Sequence, residues 1–164
     1  SKLLTVAILD LDNCGSTLLY SFDRSVIESY LTNRGLRFTN DDDGDFVVQF
    51  PYQEELGCEV ILVFCAEGPQ EDVYSVRLIS NKRIPKDEWE RVMSLCNDWN
   101  KEKRFPKAFL DIRITAEETL AIVVLEQHLH LKPGVHQDLF DDWTDIMVSG
   151  GFQFWIWVHQ QHGL

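Results

Sequence analysis

The sequence is short of positive charge. Its 164 residues carry 15 Lys and Arg against 27 Asp and Glu, which gives a formal net charge of −12 at pH 7. Phosphate backbones and anionic membrane surfaces are bound by basic patches, so an acidic chain is poorly suited to either. We therefore expect no nucleic-acid partner and no membrane partner.

Cysteine motifs are also missing. The four cysteines show no Cys-x-x-Cys spacing, the pattern typical of redox pairs and of many zinc sites. Isolated cysteines favour reduced, mostly buried thiols, which persist in the reducing cytosol. The expected location is therefore cytoplasmic. The four residues are Cys14, Cys58, Cys65 and Cys96.

Long apolar runs are absent as well. The apolar N-terminal stretch, residues 3–11, is interrupted by Thr5 and Asp10. A membrane-spanning helix needs about 20 apolar residues, and a signal peptide needs an apolar centre next to a cleavage site. The pattern predicts a soluble chain whose residues 3–11 form an uncertain strand.

The apolar content that is present suits a globular domain. Hydrophobic residues make up 45% of the chain and aromatic residues 12%, which excludes a disordered protein. A chain of this length forms most simply one domain and buries about 70% of its unfolded surface.

The clearest helix is predicted over about residues 86–103. Apolar residues recur there at helical spacing, Lys101 and Arg104 suit the last turn, and Pro106 ends the helix. The predicted apolar stripe consists of Trp89, Val92, Met93, Cys96 and Trp99.

The remaining patterns predict two hairpins, further strands and two more helices. Asp23 and Gly35 delimit a first helix, and Pro133-Gly134 turns the chain into a last one. The predicted apolar stripe of that last helix is Leu139, Trp143, Ile146, Met147, Gly150, Phe154 and Trp157. The predicted strands cover residues 36–39, 46–50, 59–66, 73–79, 109–114 and 120–131.

The segment Leu95-Cys-Asn-Asp-Trp-Asn, followed by Arg104-Phe-Pro-Lys-Ala, resembles the hallmark of the YbjN family of small bacterial proteins. The resemblance extends over about residues 21–158 and includes the first helix, the acidic hairpin and the aromatic C-terminal helix. It implies a single domain at residues 21–164, preceded by an extension at residues 1–20.

The resemblance also implies a fold and a function. The family shares its fold with type III secretion chaperones, so we expect an α+β domain with an antiparallel sheet and helices packed on one face. Members of that fold dimerise and bind protein segments. The implied function is a non-enzymatic regulatory or chaperone-like protein-binding module, with no cofactor, acting as a homodimer on a protein or peptide client.

Candidate binding residues lie in the central helix and in the last helix. Asn97 and Asn100 are unusual inside a helix, because their amides compete with the backbone for hydrogen bonds. They either clamp nearby backbone, which we favour, or line a binding surface together with Trp99. Trp99 itself is expected to be buried between helix and sheet.

The last helix has more apolar residues than one face can bury. Trp155 and Trp157 lie two positions apart, so they cannot both face inward. We expect one in the core and the other at a dimer interface or in a client groove. The interface would involve this helix, the N-terminal segment, or both. Gly150 and Gly151 either break the helix or permit close packing.

Two other functions remain as alternatives. The motif of Asp10 and Asp12 after an apolar stretch is similar to the nucleophile loop of haloacid-dehalogenase-type phosphatases. His128 and His130 share one face of a predicted strand and could ligate zinc if further ligands converge. Neither alternative has the companion residues that its chemistry requires.

Overall fold

The computed structural model of the protein describes residues 19–164. The described residues do not include the predicted strand at residues 3–11, nor Asp10, Asp12 and Cys14.

A 3-10 turn at Lys86–Glu88 precedes the second helix. The helices are α1 (Arg24–Asn33), α2 (Trp89–Glu102) and α3 (Gln137–His162). The strands are β1 (Thr39–Asn40), β2 (Phe46–Gln53), β3 (Cys58–Glu67), β4 (Val73–Ser80), β5 (Lys107–Ile114) and β6 (Thr119–His130).

The six strands form one sheet in the order β1-β2-β3-β4-β6-β5, and every neighbouring pair is antiparallel. The first four strands follow one another as a meander. The chain then crosses through α2 to the far edge, and the β5–β6 hairpin places β6 beside β4. The described part of the chain thus contains both predicted hairpins in one continuous sheet.

The helices pack on one face of this sheet. In β3, Val60, Leu62 and Phe64 are fully buried beneath the helices, while Ile61 and Val63 on the opposite face are half-buried. This alternation follows from the two-residue period of a strand. Helix α1 contacts β3, α2 contacts β5, and α3 contacts β4 and β6. The predicted α+β class, with an antiparallel sheet and helices on one face, is confirmed.

Helix α1 begins and ends where the sequence predicts. The carboxylate of Asp23 accepts a hydrogen bond of 2.8 Å from the backbone N–H of Ser25, which caps the first turn. Gly35 follows the helix with a φ of 64°, a conformation that glycine adopts without a steric penalty. The buried residues of α1 are Val26, Ile27, Tyr30 and Leu31.

The prediction for α2 was wrong at one position. Met93 is 45% exposed, and Leu95 is buried in its place beside Val92, Cys96 and Trp99. Both Met93 and Leu95 suit an apolar helix face by spacing alone. The rotation of the helix on the sheet decides between them, and spacing does not predict that rotation.

Helix α3 runs without a break through Gly150 and Gly151. A Cβ atom on Gly151 would lie 2.4 Å from Cδ1 of Leu78, and one on Gly150 would lie 2.8 Å from Cδ of Pro106. Gly151 therefore permits close approach of the helix to the sheet, and Gly150 permits close approach of the helix to the loop before β5. Close packing was one of the two predicted roles.

The predicted stripe of α3 was wrong by a fraction of a turn. Leu139 and Ile146 are 57% and 43% exposed, so the helix presents a different face to the core. Because α3 is apolar around most of its circumference, sequence spacing could not choose between two adjacent apolar faces. The residues buried in α3 are Phe140, Thr144, Met147, Gly151, Phe154, Trp155 and Val158.

A polar cluster joins α1 to α3. The hydroxyl of Tyr30 donates a hydrogen bond of 2.8 Å to Asp145, and the guanidinium of Arg34 lies 2.6 Å from the same carboxylate. The bond from Arg34 lowers the pKa of Asp145, against the opposing effect of burial. The two helices are thereby held together at the solvent side of the core.

The cysteines of the described part are free and buried. Burial raises the pKa of Cys58 to about 11 and the pKa values of Cys65 and Cys96 to about 12. Thiols with raised pKa values are poor nucleophiles at neutral pH. Across residues 19–164, every helix is too short or too polar to cross a membrane.

The close packing of α3 on the sheet gives a stability test. Gly151→Val should lower the free energy of unfolding by about 1–3 kcal/mol, because the new side chain overlaps Leu78 in a filled core. Ser149→Val, on the exposed side of the same helix, should change it by no more than about 0.5 kcal/mol. Urea unfolding followed by circular dichroism measures both. Equal midpoints for the two variants would contradict the packing.

Candidate functional site

The C-terminal end of α2 is fastened to the start of β5. Trp99 is 3% exposed, and its indole N–H donates a hydrogen bond of 2.8 Å to the carbonyl of Pro106. Its ring also packs edge-on against Phe154 of α3, with ring centroids 5.3 Å apart. Trp99 thus connects the two helices and the loop before β5.

Asn100 acts as a backbone clamp. Its carboxamide donates to the carbonyl of Ala108 and accepts from the N–H of the same residue, each at 2.8 Å. This reciprocal pair imitates the bonds that a neighbouring strand would make. Asn97, one turn earlier, is exposed to solvent. The predicted role of binding nearby backbone therefore applies to Asn100, while a binding role for Asn97 stays a prediction.

The two tryptophans of the last helix occupy opposite environments. Trp155 is fully buried in the core. Trp157 is half-buried, and its ring lies 6.0 Å from the ring of Trp99 and 4.7 Å from that of His162. One tryptophan therefore stabilises the domain from inside, and the other lines its surface.

A cavity of about 310 Å³ opens between α2 and α3, with Trp157 at its wall. We call it the α2–α3 groove. Its volume is at the lower end of the range for ligand sites, large enough for one or two side chains. The groove is lined by Asp98, Trp99, Glu102, Lys103, Gln153 and Trp157.

The groove continues along α3 as a shallower hollow of about 480 Å³. Lys103 and Gln153 line both depressions, so the two form one elongated surface feature. Phe105 and Ile146 supply its apolar floor and are 38% and 43% exposed. Sequence reasoning did not assign Phe105, Ile146 or Lys103 to a site. The sequence indicated only that the last helix has more apolar residues than one face can bury.

The hollow is basic on the side of α2. Lys103 lies over the ring of Trp99, at 5.8 Å from its centroid, and also lines the hollow beside Arg104. Within residues 19–164, the ion pairs of the protein do not involve Lys101, Lys103 or Arg104. Asp145, the carboxylate on the opposite wall, is already paired with Arg34. The charge available to a bound molecule in the hollow is therefore positive, whereas the α2–α3 groove has two carboxylates, Asp98 and Glu102, beside Lys103.

The two histidines of β6 contact separate carboxylates. Nε2 of His128 lies 3.3 Å from Glu67, and Nε2 of His130 lies 3.8 Å from Asp72. In the described part of the chain, no three His, Cys, Asp or Glu side chains are placed to hold one metal ion. Asp10 and Asp12, the residues of the phosphatase hypothesis, fall outside that part.

These features define a class of protein: a small α+β domain with helices on one face of an antiparallel sheet and an open, elongated surface groove. The sequence profile of the YbjN family, described as "putative bacterial sensory transduction regulator", matches residues 23–154. The chain belongs to the YbjN family. The family prediction is confirmed, and the function is supported at the level of a regulator-type protein.

A solved structure agrees with this assignment. The crystal structure of YbjN from E. coli, whose title calls that protein "a putative transcription regulator", is similar with a TM-score of 0.70. The alignment covers 88% of this chain and 97% of that one at 12% sequence identity. At this identity the likeness establishes the fold. No curated protein sequence matches the chain significantly.

The asparagine clamp can be tested with a matched pair of variants. Asn100→Ala should lower the free energy of unfolding by about 1–3 kcal/mol, because it leaves the buried Ala108 backbone without partners. Asn97→Ala removes the same side chain from an exposed position of the same helix. It should be neutral or slightly stabilising, since alanine is the better helix former. Thermal unfolding of both variants provides the comparison, and equal losses of stability would refute the clamp.

Proposed function

We propose that the protein is a non-enzymatic, cytoplasmic regulator that binds a segment of another protein in the α2–α3 groove and its continuation. The bound segment carries an apolar side chain next to acidic residues. The observation that carries this proposal is the half-buried Trp157 at the wall of a groove that continues along α3 past the exposed side chains of Phe105 and Ile146.

The shape of the groove favours a peptide over a small metabolite. Small-molecule sites generally enclose most of their ligand. Here a side-chain-sized cavity leads into an open hollow along α3. An apolar side chain in the cavity and a chain running along α3 would cover Trp157, Phe105 and Ile146 together. Aromatic residues of this kind dominate the binding energy of protein interfaces.

Local charge favours acidic residues beside that apolar side chain. The protein as a whole is acidic, at −12, which opposes an acidic client at long range. At physiological salt, however, charges are screened over about 8 Å. Asp98 and Glu102 line the α2–α3 groove, whereas Lys103 and Arg104 line the hollow, so we expect the acidic residues of a bound segment to lie over the hollow. The same net charge disfavours nucleic acid and anionic membranes as the bound molecule.

The buried cysteines agree with a cytoplasmic, non-catalytic role. In the described part, all three thiols are free and have raised pKa values. Free thiols persist in a reducing compartment, and thiols of this kind lack the nucleophilicity that covalent catalysis requires.

Synthetic peptides test the groove directly. Three peptides share one Leu-Phe core, flanked by Asp, Ser or Lys residues, and binding is measured by isothermal titration. We expect the Asp-flanked peptide to bind roughly tenfold more tightly than the Lys-flanked one, the size of one or two partly exposed ion pairs. Arg104→Glu should abolish that preference, and Trp157→Ser should weaken all binding.

Tyr52→Ser is the matched control. Tyr52 is 60% exposed on β2 and lies outside both depressions, so its loss should leave the three affinities unchanged. Undetectable binding of all three peptides at millimolar concentration would refute the proposed function. Equal binding by the Trp157→Ser variant would refute the groove as the site.

A further inference from the structure

Strand β5 forms one edge of the sheet, and its outward backbone groups can be identified. The N–H and C=O of Ala108 both face α2, where Asn100 binds them, so they point away from β6. Because strand residues alternate in direction, the backbone groups of Leu110, Ile112 and Ile114 also point outward. Within residues 19–164, the hydrogen bonds of the protein leave these outward groups without a partner.

The two edges of the sheet differ in how they are protected. The opposite edge is partly covered by β1, and β2 there contains Pro51 and an irregular register between Phe50 and Gln53. Prolines, bulges and short edge strands are the usual means of preventing edge-to-edge pairing. Strand β5 pairs with β6 through eight residues without a register shift. Beyond Ala108 its edge is regular, and Ile114 is 74% exposed.

We propose that this edge binds a second copy of the chain, with β5 pairing antiparallel to β5 of the second copy and Ile112 on the two-fold axis. In that register Leu110 of each copy faces Ile114 of the other. Asp111 and Arg113 of one copy form an exposed ion pair at 2.9 Å. In the dimer Asp111 faces Arg113 of the second copy and Arg113 faces its Asp111, so the two pairs combine into one network of four charges. Every facing pair of outward residues can exchange two backbone hydrogen bonds. The two sheets become one.

Charge selects this register over its neighbours. A two-fold axis at Asp111 would place two aspartates opposite each other, and an axis at Arg113 would place two arginines opposite each other. Like charges directly across a ladder are destabilising, whereas opposite charges are favourable. An axis at Leu110 would place Ala108 opposite Ile112, and Asn100 would then have to release Ala108. The strand is thus self-complementary when Ile112 lies on the axis.

One flank of α2 extends the same surface. Met93, Asn97 and Asn100 are spaced i, i+4 and i+7, so they lie on one side of the helix. Asn100 contacts the β5 edge, which places the exposed Met93 and Asn97 beside that edge one and two turns earlier. A second copy seated on β5 would cover both. This interface differs from the one expected on sequence, which involved the C-terminal helix or the N-terminal segment, and it leaves the α2–α3 groove open.

Charge reversal tests the register. Sedimentation equilibrium should find a dimer, and Asp111→Arg or Arg113→Asp alone should each raise the dissociation constant by at least roughly tenfold, because both symmetric pairs become repulsive. The double variant Asp111→Arg/Arg113→Asp restores opposite charges across the axis and should return the constant to within about threefold of the original. Circular dichroism confirms that each variant is folded.

Glu54→Lys provides the control, since Glu54 is exposed in the turn between β2 and β3, near the opposite edge of the sheet. It should leave the dissociation constant unchanged. The proposal would be overturned if the wild-type protein were strictly monomeric at about 100 µM, because a stable interface of standard size should hold the dimer together at that concentration. A dimer that is insensitive to both single reversals, or a double variant as weak as the single ones, would also overturn it.

Discussion

The architecture depends on how α3 is buried. The helix is apolar around most of its circumference, but one face of a sheet covers only one side of a helix. Phe154 and Trp155 are fully buried. Ile146 and Trp157 remain on the other side, where α2 and the loop before β5 cover them in part. The surface groove follows from this incomplete coverage, because no further layer packs on the helices in the described part of the chain.

The junction of α2 with β5 gives that groove a rigid wall and also shapes the sheet edge. Trp99 bonds to the carbonyl of Pro106, and Asn100 bonds to both backbone groups of Ala108. These bonds hold the end of α2 against the first residues of β5 and satisfy the edge there. They leave the edge from Leu110 onward open. One set of contacts therefore positions two separate surfaces, a groove suited to side chains and an edge suited to backbone pairing.

Several features were predictable because they depend on local chemistry. The N-cap at Asp23 and the glycine after α1 mark a helix by backbone geometry alone. The alternation in β6 predicts a strand with one covered face, and the segment from Leu95 to Ala108 carries the family resemblance. The backbone role of Asn100 was favoured for a similar reason, since an amide near a buried stripe usually binds adjacent backbone.

The sequence by itself thus determined the element order, the α+β class and the family. Tertiary structure decided which apolar face of each helix is buried: Leu95 rather than Met93 in α2, and Phe140 rather than Leu139 in α3. It also decided that Trp155 is internal and Trp157 superficial. The physical reason is that periodicity identifies apolar directions on a helix, whereas the rotation of that helix depends on the shapes it packs against. Gly151 against Leu78 and Gly150 against Pro106 set that rotation for α3.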